Sequence, residues 1–356
     1  MARALRAKIV GLFLTTILAA SPAAAQQNPP RLFSDDSEVQ LLIEAPMQEL
    51  VRNAARSTDP YPAAITMQGE NAQRYDLQLS ARGFSRRTRG ICAFPPLRLD
   101  FDQSAMRGTV WRGQNKLKLV TRCRGGDQYE QLIVLEYVAY RMYNAVTPVS
   151  FRVRPARVTY RDTSGRRREE TQFNFLIEDV SDMARRNDRR DIEVGPAEVS
   201  STQLDPTSAA TLGMFQFMIG NLDWDMVRGP EHEDGCCHNT KLIAATADSR
   251  EMLVSVPYDF DMSGFVNAPY AIPPQGLPVA NVRTRYYRGL CRYNEHAPAA
   301  AQLFRERREA IFAVIDGEQR LTDGQRRSAR RYIEDFFEVI DDPGRFQNQV
   351  IERCRR

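Results

Sequence analysis

The chain has 356 residues, 49 of them lysine or arginine against 45 aspartates and glutamates, for a formal charge of +4. That length can bury one large core or divide into two lobes. Three of the cations, Arg3, Arg6 and Lys8, fall in the first 25 residues, which hold no acid. The remainder is therefore close to neutral and lacks the electrostatic footprint of a nucleic-acid-binding protein.

Residues 1–25 have the form of a secretory signal peptide: a basic start, an apolar run over 9–20, and Ala23-Ala24-Ala25 as a small-residue cleavage signature. The run is too short to span a bilayer, and no later stretch is apolar enough to do so. An exported protein follows, periplasmic or secreted, with no transmembrane anchor once the signal is removed. Beyond the signal there are 43 arginines but only three lysines, Lys116, Lys118 and Lys241. Six cysteines in an exported chain predict up to three disulfides. Cys236 and Cys237 are adjacent and badly placed to bond each other, so one of them is expected to reach Cys291.

In chain order, 26–36 is polar and reads as a flexible lead-in, 39–44 as a strand and 47–56 as a short helix. Strands follow at 63–67 and 75–80, the second alternating through Tyr75, Leu77 and Leu79. A loop rich in Arg, Ser and Gly spans 81–90, and strands at 97–101 and 116–120 come next. Pairing these two as a hairpin with Phe101 opposite Lys116 sets Cys92 nearly opposite Cys123, within disulfide reach. Leu132, Leu135, Val138 and Met142 stripe a helix over 129–145, with Glu136 at the edge of the stripe and partly buried. Strands at 151–160 and 171–178 flank a turn at 163–168. The charge run at 185–191 reads as a solvated loop. Helices are predicted from 208 to 219, over 299–315 and over 323–340, the last with Thr322 and Gln325 as a capping box. The pattern is α+β with two lobes, strand-rich over 37–178 and helical over 179–356.

Two acidic stretches stand out, Gly220-Asn221-Leu222-Asp223-Trp224-Asp225 and Pro257-Tyr258-Asp259-Phe260-Asp261, with His238-Asn239-Thr240-Lys241 between them. Each adjoins an apolar run, so its carboxylates sit where a buried element meets a turn and need a compensating cation. Oxygen donors of this kind suit Mg²⁺ or Mn²⁺ rather than zinc, and a metal with open positions grips the phosphates of a nucleotide. Plainer roles compete with this one. Asp225 and Asp261 suit turns or caps, His238 a structural role, and Glu136 a salt bridge to an arginine.

Strand, glycine-containing loop, strand, lysine strand, then a helix with a semi-buried glutamate is the order of elements in a kinase amino-terminal lobe. The chain resembles the CotH kinase-like family, the atypical kinases named after spore-coat protein H. The resemblance rests on Arg82-Gly83-Phe84-Ser85-Arg86-Arg87, Lys116-Leu117-Lys118-Leu119, Gly220 to Asp225, His238-Asn239 and Tyr258-Asp259-Phe260-Asp261, and covers roughly 75–265. It implies a two-lobed, protein-kinase-like fold and an exported, metal-dependent kinase that moves phosphate from ATP to Ser or Thr of an envelope or secreted protein. In that scheme Asp223 is the catalytic aspartate, and Asn239 and Asp259 hold the metal; for Asp261 a bridging metal role stands open beside the turn or cap. Lys118, or else Lys116, meets the phosphates and pairs with Glu136, while Gly83 and the amides around Ser85 cover them. The sequence departs from a typical kinase in placing Asp223 and Asn239 sixteen residues apart, with 228–237 as an apparent insertion, and in having one glycine in its loop. Two other functions fit the same residues: an inactive kinase-fold scaffold of the envelope, and a metal-dependent phosphoester hydrolase with water as nucleophile.

Overall fold

The computed structural model describes residues 31–69, 72–195, 199–229 and 235–356. The signal-peptide segment, the start of the lead-in and the middle of the 228–237 insertion lie outside these residues.

Seven strands close into a barrel: β1 (Val39–Ala45), β2 (Tyr61–Met67), β3 (Gln73–Ala81), β4 (Leu97–Asp100), β5 (Lys116–Val120), β6 (Val153–Asp162) and β7 (Glu170–Ile177). Their order round the barrel is β1-β2-β3-β4-β5-β7-β6. Every pair is antiparallel except the closing one, in which β1 runs parallel to β6 from Val39↔Ala156 to Ala45↔Asp162. Period-two alternation sends Leu41, Ile43, Leu77, Leu79, Leu97, Leu99, Leu117, Leu119 and Val158 into the barrel, where they form one buried core. The same alternation turns Lys116 and Lys118 outward, on the face that carries Phe175 and Ile177 of neighbouring β7.

That outer face is the floor of a second core. Helix α1 (Met47–Asn53) follows β1, while α2 (Asp127–Val146) lies between β5 and β6 and packs on β7. Tyr137, Val138 and Met142 of α2, together with Phe173, Phe175 and Ile177 of β7, join the core built by the rest of the chain. That remainder comprises α3 (Val180–Arg186), β8 (Arg190–Asp191), α4 (Pro206–Ile219), β9 (Thr240–Ala244), β10 (Val254–Pro257), α5 (Ala297–Glu306), α6 (Arg308–Gly317), α7 (Asp323–Asp341) and α8 (Pro343–Phe346). Strands β10, β9 and β8 form a small separate sheet.

The two-lobed kinase-like arrangement is therefore corrected. The strand-rich half is a closed seven-strand barrel, not an open lobe of sheet, and the molecule is this barrel with eight helices among the described residues. Closure depends on the parallel β1–β6 ladder, whose strands are more than a hundred residues apart. Nothing local in either strand encodes that pairing.

Smaller departures have local causes. Residues 31–37 are anchored: Leu32 and Phe33 are buried, and Arg154 donates to the carbonyls of Leu32, Asp35 and Ser37. The charge run begins inside α3, where Asp182 is buried among Arg31, Arg185 and Gln114. The helix expected over 299–315 breaks at Arg307 into α5 and α6. At α7 the Thr322 hydroxyl accepts from the Gln325 amide at 3.3 Å.

All six cysteines are paired. Cys92 bonds Cys123 across the mouth of the β4–β5 hairpin, with Cα atoms 4.6 Å apart. The register sets Asp100, not Phe101, opposite Lys116, one residue from the expected alignment. The expectation for the other four cysteines is overturned. Cys236 bonds its neighbour Cys237, and Cys291 bonds Cys354. Cys291 is drawn to the carboxy-terminal segment by an isolated parallel bridge, Leu290↔Arg355, with its amide donating to the Arg355 carbonyl at 2.9 Å.

Candidate functional site

One cleft of about 560 Å³ opens between the outer wall of the barrel and the segments that follow α4 and β10. Its barrel side carries Arg82, Gly83 and Ser85 after β3, Arg98 of β4, and Lys116 and Lys118 of β5. Its other side carries Asp223, His238, Asn239, Tyr258, Asp259 and Asp261.

Asp223 is placed by the end of α4. Gly220 closes that helix in the left-handed conformation at φ 60°, and a Cβ there would meet the Tyr332 hydroxyl at 2.0 Å, so only glycine fits. The Asn221 side chain then accepts from the Asp223 amide at 3.0 Å, and its carbonyl accepts from the Trp224 indole at 3.0 Å. The Asp223 carboxylate is held from two sides. His238 Nε2 lies 2.8 Å from Oδ1, and Asn239 Nδ2 donates to Oδ2 at 3.1 Å and to the backbone carbonyl at 2.7 Å. Asp225 points elsewhere: it caps the amides of Val227 and Arg228 and pairs with Arg355.

Asn239 and Asp259 both take left-handed backbone conformations, at φ 50° and 63°. Asn and Asp tolerate this better than other residues, and such positions gather at functional sites. Their chain segments are tied together, since the Tyr258 amide donates to the Asn239 carbonyl at 3.1 Å. The Asp259 amide donates to the buried Tyr140 hydroxyl of α2 at 2.7 Å. The next residue, Phe260, is fully buried, 4.5 Å from the Tyr140 ring and 5.3 Å from that of Phe215. Among the described residues the Asp259 carboxylate makes no hydrogen bond or ion pair within the protein.

Asp261 is engaged differently from a metal ligand. It accepts from the Tyr270 hydroxyl at 3.0 Å and lies 3.5 Å from Arg86 Nη1. Burial, then the charge of Asp259, pushes its pKa up to about 6 against the pull of Arg86.

The expected Lys118–Glu136 pair is also corrected. Glu136 is fully buried, and its cationic partner is Arg86, at 4.0 Å. Burial, followed by Asp261, raises the Glu136 pKa well above the usual carboxylate range. Arg86 itself is 5 % exposed and donates to the Thr121 carbonyl. Burial disfavours its charge, but Tyr270, Asp261 and Glu136 outweigh that and hold it protonated. The loop from Arg82 to Arg87 is therefore fastened, with Arg87 also donating to the carbonyls of Gly83 and Ala54. Gly83, at φ 75°, makes its turn.

Among the described residues Lys118 forms no ion pair, though the charges of Asp179 and Asp259 reach it, and its ammonium lies 5.2 Å from the centre of the Tyr258 ring. Burial, then the charges of Lys241 and Arg82, pushes its pKa down to about 7. Lys116 is exposed at the rim.

Sequence reasoning missed Arg82, Arg86, Tyr140, Tyr258 and Lys241 as parts of this site. The one signal that pointed to Lys241 was the scarcity of lysine beyond the first 25 residues. No three His, Cys, Asp or Glu side chains among the described residues stand close enough to hold a metal by themselves. No family model matches the chain, and no curated protein matches it.

Proposed function

We propose that the chain is a metal-dependent phosphotransferase that moves a phosphoryl group from a nucleotide to a hydroxyl of a protein in the cell envelope or outside the cell. One observation carries the reading: Asp223, Asn239 and Asp259 share a cleft with Lys116 and Lys118 although they lie on separate segments of chain. Phosphoryl transfer asks a protein mainly for position and charge neutralisation, and this cleft offers both.

Asp223 orients the acceptor. Its carboxylate is held by His238 and Asn239 and lines the cleft, where it accepts the hydrogen bond of an incoming hydroxyl. As the hydroxyl oxygen bonds phosphorus, its proton passes to Asp223. The bond from phosphorus to the bridging oxygen breaks, and its electron pair leaves with the departing phosphate. Lys116, Lys118 and Arg82 face the charge that this group carries.

The residues fit Mg²⁺ or Mn²⁺ as a site that substrate phosphates complete. Among the described residues the Asp259 carboxylate makes no hydrogen bond or ion pair, and so is open to a cation. Asn239 spends its amide nitrogen on Asp223, which leaves its carbonyl oxygen for a cation. When bound, the metal supplies neutralisation of the phosphate oxygens. The bonds of Asp261 to Arg86 and Tyr270 make it an anchor for this turn.

The three disulfides, and the lack of any described helix long and apolar enough to cross a membrane, are in keeping with action outside the cytoplasm.

The test is transfer from radiolabelled ATP with Mg²⁺ or Mn²⁺ to an envelope extract, alongside nucleotide binding. Asp223→Asn should cut transfer and keep nucleotide binding, whereas Asp259→Asn should remove the metal-dependent part of binding. Lys118→Arg should impair transfer, because a planar guanidinium does not replace a compact ammonium. Nucleotide binding in the wild type that Mg²⁺ or Mn²⁺ does not strengthen, or full transfer by Asp223→Asn, would overturn the reading.

A further inference from the structure

Cys236 and Cys237 are bonded to each other directly before His238 and Asn239 of the cleft. This bond differs in kind from the other two. Cys92–Cys123 and Cys291–Cys354 span 31 and 63 residues, and each removes loop-closure entropy from the unfolded chain. A bond between neighbours closes no loop of chain, so it contributes almost nothing of that kind to the fold. Its constraint is local: a small ring around the 236–237 peptide that restricts the backbone of both residues.

Those two residues are the root of the segment that reaches the cleft. The Cys236 amide donates to the Val194 carbonyl at 3.0 Å, and the His238 amide to the Arg228 carbonyl at 2.9 Å. The Asp225 amide donates back to the His238 carbonyl at 2.9 Å, so this segment is laced to the chain that leaves Asp223. From it the side chains of His238 and Asn239 reach the Asp223 carboxylate. The two sulfurs are placed unequally. Cys237 is buried with its Sγ 3.1 Å from the Met226 carbonyl, whereas Cys236 is only partly buried. An attacking thiolate thus meets Sγ of Cys236 first, and a released Cys237 thiol has an acceptor in place at Met226.

We propose that Cys236–Cys237 is a thiol–disulfide exchange site for a dithiol oxidoreductase, holding His238 and Asn239 in place when oxidised and loosening them when reduced. The reductant's thiolate bonds Sγ of Cys236, the S–S bond breaks, and its electron pair leaves on Cys237, which takes a proton. The reductant's second thiol then attacks the mixed disulfide and frees Cys236 as a thiol. The protein gains two electrons and two protons, and the reductant becomes a disulfide. The effect on nucleotide binding rests on the transferase reading, because it concerns the same cleft; the exchange itself does not.

Incubation of the oxidised protein with graded reduced thioredoxin, followed by alkylation and peptide mass spectrometry, tests the exchange. Cys236 and Cys237 should be alkylated together, at a reductant ratio about tenfold or more below that which opens either long-range disulfide. Alkylation no earlier than at the other four cysteines would overturn the site. Hydrogen exchange tests the coupling without reference to activity. In the reduced protein the amides of Asp225 and His238 should exchange about tenfold faster or more, with β5 unchanged. Equal exchange at both amides would overturn the coupling. Cys236→Ser/Cys237→Ser should exchange like the reduced protein and melt close to the wild type; a melting temperature lowered as far as by loss of Cys92–Cys123 would make the bond structural and overturn the proposal. Metal-dependent nucleotide binding should weaken by about tenfold in the reduced protein. Unchanged nucleotide binding alongside faster exchange would overturn control of the cleft. A wild type that binds no nucleotide would sink the transferase reading, while alkylation and exchange would still decide the redox site.

Discussion

Arg86 Nη1 lies 3.5 Å from Asp261 Oδ2, and so joins the loop after β3 to the turn that carries Asp259. The same guanidinium is the cation nearest to Glu136 of α2, at 4.0 Å. One buried arginine thus links three segments that the chain brings from far apart.

Removing it should be costly. Arg86→Met leaves two buried carboxylates without their cation, and breaking a buried pair in this way costs about 3–5 kcal/mol. Urea unfolding should show that loss, and Glu136→Gln in the same background should recover part of it. Equal stability of wild type and Arg86→Met would show that neither carboxylate depends on the arginine.

Lys118 makes a prediction about pH. Its pKa is about 7 in the folded protein, below the ordinary lysine value of 10.5. The unfolded chain therefore binds more protons between these two values, and stability contributed by this group rises with pH across that window. Lys118→Met should be more stable than the wild type near neutral pH, with the difference shrinking as pH approaches the upper value. Anion binding should follow the protonated ammonium and weaken as pH rises through 7, with proton uptake on binding above it. Calorimetry in buffers of different ionisation enthalpy measures that uptake; none at pH 8 would argue against an anion at Lys118.

Phe260 is predicted to govern the site from behind. It is fully buried against Tyr140 and Phe215, between the two aspartates of its turn. Phe260→Ala should lose about 3–5 kcal/mol of stability, as for other buried aromatic truncations. Phe260→Leu, which keeps most of the volume, should lose less and retain more nucleotide binding. A wild-type melting temperature in Phe260→Ala would rule out this anchoring role.

The Cys92–Cys123 disulfide closes a separation of 31 residues around the β4–β5 hairpin. By the loop-closure argument, its removal in a Cys92→Ser/Cys123→Ser protein should cost about 3–4 kcal/mol. Hydrogen exchange should quicken first in β5, the strand that carries Lys116 and Lys118. Unchanged protection of β5 would place the effect of the bond elsewhere.

Much of the local structure was legible. Alternation at Tyr75, Leu77 and Leu79 marked β3, and the stripe from Leu132 to Met142 marked α2, because one buried face imposes its period on the residues that make it. The Cys92–Cys123 bond followed from the hairpin, which joins residues close in sequence. Asp223, Asn239 and Asp259 were found as polar residues at the ends of apolar runs, and the structure places all three on one cleft.

What pairs with what was not legible. The resemblance pairs Glu136 with Lys118, but the plainer alternative, an arginine, is the one found: Arg86 reaches it, because the loop after β3 folds inward toward Tyr270 and Asp261. Cys291 was matched with the adjacent cysteines, but the Leu290↔Arg355 bridge brings Cys354 to it instead. The barrel itself closes through a parallel ladder between β1 and β6. The sequence alone determined the elements, their buried faces and the residue types of the cleft, since these depend on neighbours a few positions away. Only the tertiary structure decided closure, ion-pair partners and the approach of Lys118 and Lys241 to one Tyr258 ring, since each depends on segments whose proximity is set by the packing of the whole chain.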